Sequence, residues 1–212
     1  MAPNEQEMRD AAETAAALVQ PGMHIGLGTG RTVAFLLPAI AARGIENLRC
    51  VATSPETESA AGALGIPVEP FDQLDRLDLA IDGADQVTQD RWAIKGGHGA
   101  QLREKIVAAA ADRFIVIVSS DKVVEALHPP VPLELERFGL AATLRAVAPT
   151  ALRPDAAVTP DGGVLGDYQG AIDDRQALAR RFEQTPGVMG HGLFGPALIH
   201  RVIVGGATGG TT

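Results

Sequence analysis

Phe114-Ile115-Val116-Ile117-Val118 is apolar at five consecutive positions. A strand sends successive side chains to opposite faces, so such a run is stable only where both faces are covered. Shorter apolar stretches at 23–27, 48–52 and 77–81 read as companion strands. Between them lie segments of helical period, at 6–20, 32–42, 55–64 and 102–111. Strands alternating with helices predict an α/β protein: a Rossmann-like, mostly parallel sheet with helices on both faces and right-handed crossovers. Ser54-Pro55 has the form of an N-cap followed by proline at the first helical position. Pro38 lies inside the 32–42 segment, where it is expected to kink the helix.

The texture changes after Ser120-Asp121-Lys122. His128-Pro129-Pro130-Val131-Pro132 marks a boundary. Beyond it a strand (133–135), a helix (140–147), a strand pair around Asp161-Gly162-Gly163, a helix (174–184) and a strand near Val188 suggest a small α+β unit. The predicted division is a Rossmann-like catalytic domain over 1–128, completed by 197–212, and a small α+β domain over 129–196. The glycines of the tail 205–210 predict a flexible end.

With 212 residues and a net charge of −8, the chain shows no basic stripe, which argues against nucleic acid as a partner. No apolar run reaches the ~20 residues of a membrane span, and the acidic N-terminus lacks a signal-peptide pattern. A single cysteine, Cys50, rules out an internal disulfide framework. A cytoplasmic location is expected, with no membrane partner.

Three segments carry candidate chemistry. Gly26-Leu27-Gly28-Thr29-Gly30-Arg31-Thr32 joins a strand to a helix. It is either a phosphate-binding turn or a tight turn alone. It lacks the lysine–hydroxyl ending of a P-loop, and Val33 stands where the dinucleotide pattern has glycine. Asp82-Gly83-Ala84-Asp85 closes a predicted strand, at the edge where open α/β sheets bind ligands. Its carboxylates could hold sugar hydroxyls, relay protons, or merely cap a turn. Lys95-Gly96-Gly97-His98 precedes the 102–111 helix and offers a cation and unblocked amides. On a helical wheel Leu102, Ile106 and Ala109 form the core face, which turns Glu104 toward solvent. Ala100 and Ala108 beside it would leave room for a ligand. Lys122 follows the Phe114–Val118 strand, as a site residue or an ordinary surface lysine. The five histidines show no paired ligand spacing, so no metal is expected.

Taken in order, these segments resemble the A-type ribose-5-phosphate isomerases over nearly the whole chain. The matching pieces include Gly26-Leu27-Gly28-Thr29-Gly30, Asp82-Gly83-Ala84-Asp85, Lys95-Gly96-Gly97, Arg103-Glu104-Lys105-Ile106-Val107, Lys122, Pro132-Leu133-Glu134, and Pro186-Gly187-Val188 with Gly190-His191-Gly192-Leu193-Phe194. The resemblance implies an aldose–ketose isomerase without a cofactor, acting on a small phosphorylated sugar through a cis-enediolate. It also implies a homodimer or homotetramer. Carried over, Glu104 matches the catalytic base; Thr29, Gly30, Arg31, Thr32, Asp82, Gly83, Ala84, Asp85, Lys95, Gly96, Gly97, His98 and Lys122 match substrate-binding positions.

The departures cluster at that site. The family usually has Ser or Thr at Arg31, Glu at Gln86, Gly or Ala at His98, Leu-Thr in place of Gln101-Leu102, and a lysine at Met8. A divergent isomerase for another sugar phosphate is the nearest alternative. A sugar-phosphate-sensing module would need a DNA-binding segment, and no helix-turn-helix or basic tail is visible. A nicotinamide-dependent oxidoreductase lacks its dinucleotide spacing.

Overall fold

The computed structural model describes residues 3–154 and 158–206; the rest of the glycine-rich tail, from 207 on, lies outside them. In chain order the elements are α1 (Pro3–Ala16), β1 (His24–Leu27), α2 (Arg31–Ala41), β2 (Arg49–Ala52), α3 (Pro55–Ala63), β3 (Leu79–Asp82), β4 (Gln86–Val87), β5 (Ala93–Ile94), α4 (Gln101–Ala110) and β6 (Phe114–Val118). There follow β7 (Val131–Leu135), α5 (Leu140–Ala146), β8 (Thr150–Leu152), β9 (Val164–Tyr168), α6 (Arg175–Glu183), β10 (Val188–His191), β11 (Leu193–Phe194) and β12 (Ile199–Val204).

Five parallel strands form the central sheet in the order β12-β6-β3-β1-β2. All of β6 is buried, and its residues divide between two cores. Ile115 and Ile117 join Ile25, Leu27, Leu79 and Ile81 against α1 and α2. Phe114, Val116 and Val118 face the other way, toward Val107 and Ala108 of α4. The uninterrupted apolar run is thus accounted for by helices on both faces. The order in which strands are added reverses between β1 and β3, which makes their carboxyl ends the topological switch point.

A second sheet, β10-β7-β9-β8, is antiparallel throughout. It packs on α6 through Leu133, Leu135, Tyr168 and Phe182. A small antiparallel sheet, β11-β5-β4, takes two strands from the connection between β3 and β6 and one from just before β12, and Lys95 directly follows its middle strand.

The elements follow the sequence pattern in part. The helix at α2 continues through Pro38, with the Ala42 amide donating to the Pro38 carbonyl at 2.9 Å. Pro38 and Ala34 are both exposed, so the carbonyl deprived of its partner faces solvent rather than the core. Directly after α3 the chain adds only a single bridge to the central sheet, between Val68 and Cys50. The expected pair around Asp161 is instead β8 and β9, on either side of a long connection. Ser54 caps α3 as its sequence predicts, accepting from the Thr57 amide at 3.1 Å.

The wheel assignment of α4 is also overturned. Its buried residues are Gln101, Glu104, Val107 and Ala108, while Ile106 is 50% exposed. The polar carboxyl edge of the sheet, not an apolar surface, receives the first turns of this helix. Hydrophobicity therefore pointed to the wrong face.

Candidate active site

The site begins with the two glycines of β1 and its turn. A Cβ at Gly26 would overlap Val107 of α4, and one at Gly28 would overlap the Asp82 side chain. Packing demands both glycines. They let α4 and the end of β3 close on β1, which brings Glu104 and Asp82 to the same place. The turn is secured by the Gly28 amide donating to the Ile81 carbonyl at 2.9 Å. Asp82 Oδ1 accepts from the amides of Thr29 (3.0 Å) and Gly83 (2.7 Å).

Lys95 enters this corner from the small sheet. Its Nζ lies 2.9 Å from Asp82 Oδ2 and 3.1 Å from Glu104 Oε2, and donates to the Gly83 carbonyl at 2.6 Å. The three side chains are 2–4% exposed. Burial pushes the Glu104 carboxyl up, and the neighbouring Asp82 charge pushes it further, to about 8 despite Lys95. Burial raises Asp82 as well. For Lys95, burial opposes the charge, yet Asp82 and Glu104 outweigh it and carry the ammonium to about 12. The lysine therefore stays charged, while a carboxyl beside it titrates near neutrality.

A cavity of about 100 Å³ opens at this point. Thr29, Gly30, Arg31 and Thr32 line one side; Gly83, Ala84 and Asp85 another; Lys95, Gly96, Gly97, His98 and Glu104 a third; and Lys122 closes it. Every residue singled out from the sequence lies on this wall except Asp82, which stands behind it and orients Lys95 and the Thr29 turn. Asp85 faces the cavity, and its Oδ2 accepts from the Gly97 amide at 2.8 Å. Lys122 follows β6 and is 41% exposed, with Asp121 Oδ2 3.7 Å away. Met8 of α1 reaches the same cavity, as do Asn4, Ser119 and Asp121.

Beyond Thr29, Gly30, Arg31 and His98 lies an adjoining cavity of about 580 Å³, bounded by Val33, Leu37 and Ala60. His98 stands between the two spaces. Among the described residues, no group of three or more His, Cys, Asp or Glu side chains is arranged to hold a metal ion.

Sequence reasoning missed Arg153 and Asp167. Arg153 donates to the carbonyls of Gly97 (3.1 Å) and Gly96 (3.2 Å) and forms a two-pronged pair with Asp167. Neither lies in a motif, and only folding brings them near the loop. Gln101, fully buried below Gly96, was likewise noted only as a departure from a pattern.

Comparisons with known proteins bear on the family of the whole chain. The family described as ribose 5-phosphate isomerase A (phosphoriboisomerase A) matches residues 49–209. A ribose-5-phosphate isomerase A of Agrobacterium fabrum is 43% identical over 201 residues, covering 87% of each chain. One from Roseiflexus castenholzii is 43% identical over 88% of this chain and 86% of its own. Among solved structures, ribose 5-phosphate isomerase A of Neisseria gonorrhoeae superposes with a TM-score of 0.92 at 30% identity, over 100% of this chain and 97% of that one. A D-ribose-5-phosphate isomerase in complex with phospho-erythronic acid gives a TM-score of 0.91 at 31% identity, over 99% and 97%. With the family match over 49–209, relatives 43% identical over most of the chain and the same fold, this chain belongs to the ribose 5-phosphate isomerase A family.

Proposed function

We propose that the protein interconverts D-ribose 5-phosphate and D-ribulose 5-phosphate, with Glu104 as the base. The observation that carries this assignment is Glu104 itself: a buried carboxylate on a cavity wall, 3.1 Å from a charged lysine and raised to about 8. Such a group can accept a carbon-bound proton and return it near neutral pH. It takes the C2 proton of the open-chain aldose, leaving a cis-enediolate, and returns it to C1 as the O2 hydroxyl proton passes to O1, which gives the ketose. Negative charge grows on the O1 and O2 side. Lys95 and the Gly96 amide are fixed donors there, stabilising that charge without reorganising, while the Gly97 amide is engaged by Asp85. Asp85 holds a hydroxyl, and Asp82 keeps Lys95 in place. Thr29 and Thr32 with Arg31 and Lys122 take the phosphate. Arg31 thereby supplies charge that Met8 does not.

The test is an isomerisation assay of the wild type and Glu104→Gln. The variant is expected to lose about 10³-fold in kcat, and its retention of full activity would refute the assignment. A second reading, an isomerase for a larger sugar phosphate, is favoured by the 580 Å³ space beyond His98. Assaying pentose and hexose phosphates side by side separates the two: faster turnover of a hexose phosphate selects the second.

Three coarser proposals accompany this one. Residues 1–128 with 197–212 form the catalytic domain, and 129–196 the smaller one. The chain assembles as a homodimer or homotetramer, supported by the exposed Ile106 and Phe138. It works in the cytoplasm; no helix among the described residues is long and apolar enough to cross a membrane.

A further inference from the structure

We propose that Arg153, held by Asp167, is a positioning residue for the reaction, and that the antiparallel sheet acts on the catalytic loop through it. Arg153 follows β8, and Asp167 lies on β9. Arg153 Nε and Nη2 donate to Asp167 Oδ2 and Oδ1 at 2.9 and 2.8 Å. The same guanidinium reaches across to the Gly97 carbonyl from Nη1 (3.1 Å) and the Gly96 carbonyl from Nη2 (3.2 Å). One planar fork thus ties two consecutive peptide groups of the loop to a carboxylate on another sheet.

In a trans peptide the carbonyl and the following N–H point in opposite directions. Holding the Gly96 carbonyl therefore aims the Gly97 N–H, which donates to Asp85 Oδ2 at 2.8 Å. Holding the Gly97 carbonyl turns the His98 N–H away from Arg153. The fork thus sets both the direction of Asp85 and the amides beside Lys95. Two further contacts come from the same sheet and its approach: Leu165 packs on Gly99, and Asp161 pairs with Arg103 on α4 at 2.8 Å. No residue of β7 through β11 lines the catalytic cavity. The antiparallel sheet contributes by fixing the loop and the helix that do.

This inference rests on the proposed isomerase reaction for its kinetic readout, so the experiment also includes one that does not need substrate. Arg153→Met, Arg153→Lys and Asp167→Asn are compared with the wild type by kinetics on ribose 5-phosphate, by thermal melting, and by hydrogen exchange of segment 95–99. Arg153→Met is expected to lose about 10²-fold in kcat, as misplacement of reacting groups does. KM should stay within about threefold, since the donors act mainly on transition-state charge. A lysine cannot reproduce the fork, so Arg153→Lys should lose about 10-fold in kcat. Exchange in 95–99 should accelerate in all three variants while melting stays near wild type. Unchanged kcat, unchanged exchange, or losses that follow only the unfolded fraction would overturn the proposal. If Arg153→Met does not fold, Arg153→Lys and Asp167→Asn decide by the same readouts. Absence of wild-type turnover would refute the assigned reaction, while exchange would still decide whether Arg153 holds the loop.

Discussion

Two lysines stand over the same Phe194 ring, Lys95 at 5.5 Å and Lys105 at 4.9 Å, and reach opposite electrostatic states. Lys95 lies at the carboxyl edge of the parallel sheet, between Asp82 and Glu104, and its ammonium is carried to about 12. Lys105, one position along α4 from Glu104, turns to the β10–β11 side. There it meets the His191 ring nitrogens at 3.0 and 3.1 Å and the Leu193 carbonyl at 2.8 Å. Burial drives Lys105 down to about 7, with Glu183 opposing weakly. His191 is held near 3 by burial and by the Lys105 charge. Burial and an aromatic face are common to both lysines. What differs is the carboxylates: two lie within 3.1 Å of Lys95, whereas Lys105 has only the weaker pull of Glu183. Lys95 is enclosed by two carboxylates; Lys105 is enclosed by a carbonyl and a neutral ring, with Glu183 next to His191.

The sharpest way to break this contrast is Lys95→Met. It strands two buried carboxyls without a counter-charge and should cost about 3–5 kcal/mol of stability. It also removes the proposed donor to the enediolate, for at least ~10²-fold in kcat. A folded variant of wild-type melting temperature would show that Asp82 and Glu104 do not depend on the lysine.

Lys105→Met should be milder, about 1–3 kcal/mol, because what it leaves behind is one unpartnered carbonyl. Its signature is the pH dependence. The unfolded lysine, near 10.5, binds a proton that the folded one, near 7, has lost. Wild-type stability therefore gains with rising pH between those values from this group, and the variant should lack that gain. Parallel melting curves of the two proteins from pH 7 to 10 would contradict the assignment.

The smallest effect is on the pH profile of kcat/KM. As the proposed base, Glu104 must be ionised to take the proton, so activity should rise through about pH 8. Because folding favours its protonated form, the same group should lower stability as pH climbs from 4.5 toward 8. An acidic limb near 4.5, the unperturbed value, would mean that burial does not govern this carboxyl.

The parallel sheet was legible from the apolar run 114–118, because burial on both faces leaves a local trace. The loops at 28–32, 82–85 and 95–98 were legible as glycine- and aspartate-rich strand ends, and they line one cavity. The orientation of α4 was not. A hydrophobic wheel assumes an apolar surface opposite the helix, whereas Gln101 and Glu104 face a buried polar corner. Asp82 was placed with the substrate by its motif, yet it lies behind the wall, where Gly28 leaves room for it.

The sequence by itself determined the layered α/β architecture, the turns at the strand ends and, through ordered resemblance, the family and its candidate base. These depend on local pattern and on motif order along the chain. Only the tertiary structure decided the protonation balance among Lys95, Asp82 and Glu104, the fork of Arg153 on the catalytic loop, and the opposite fates of Lys95 and Lys105. Each depends on charges and carbonyls brought within hydrogen-bonding distance from separate strands, and a linear chain carries no record of those distances.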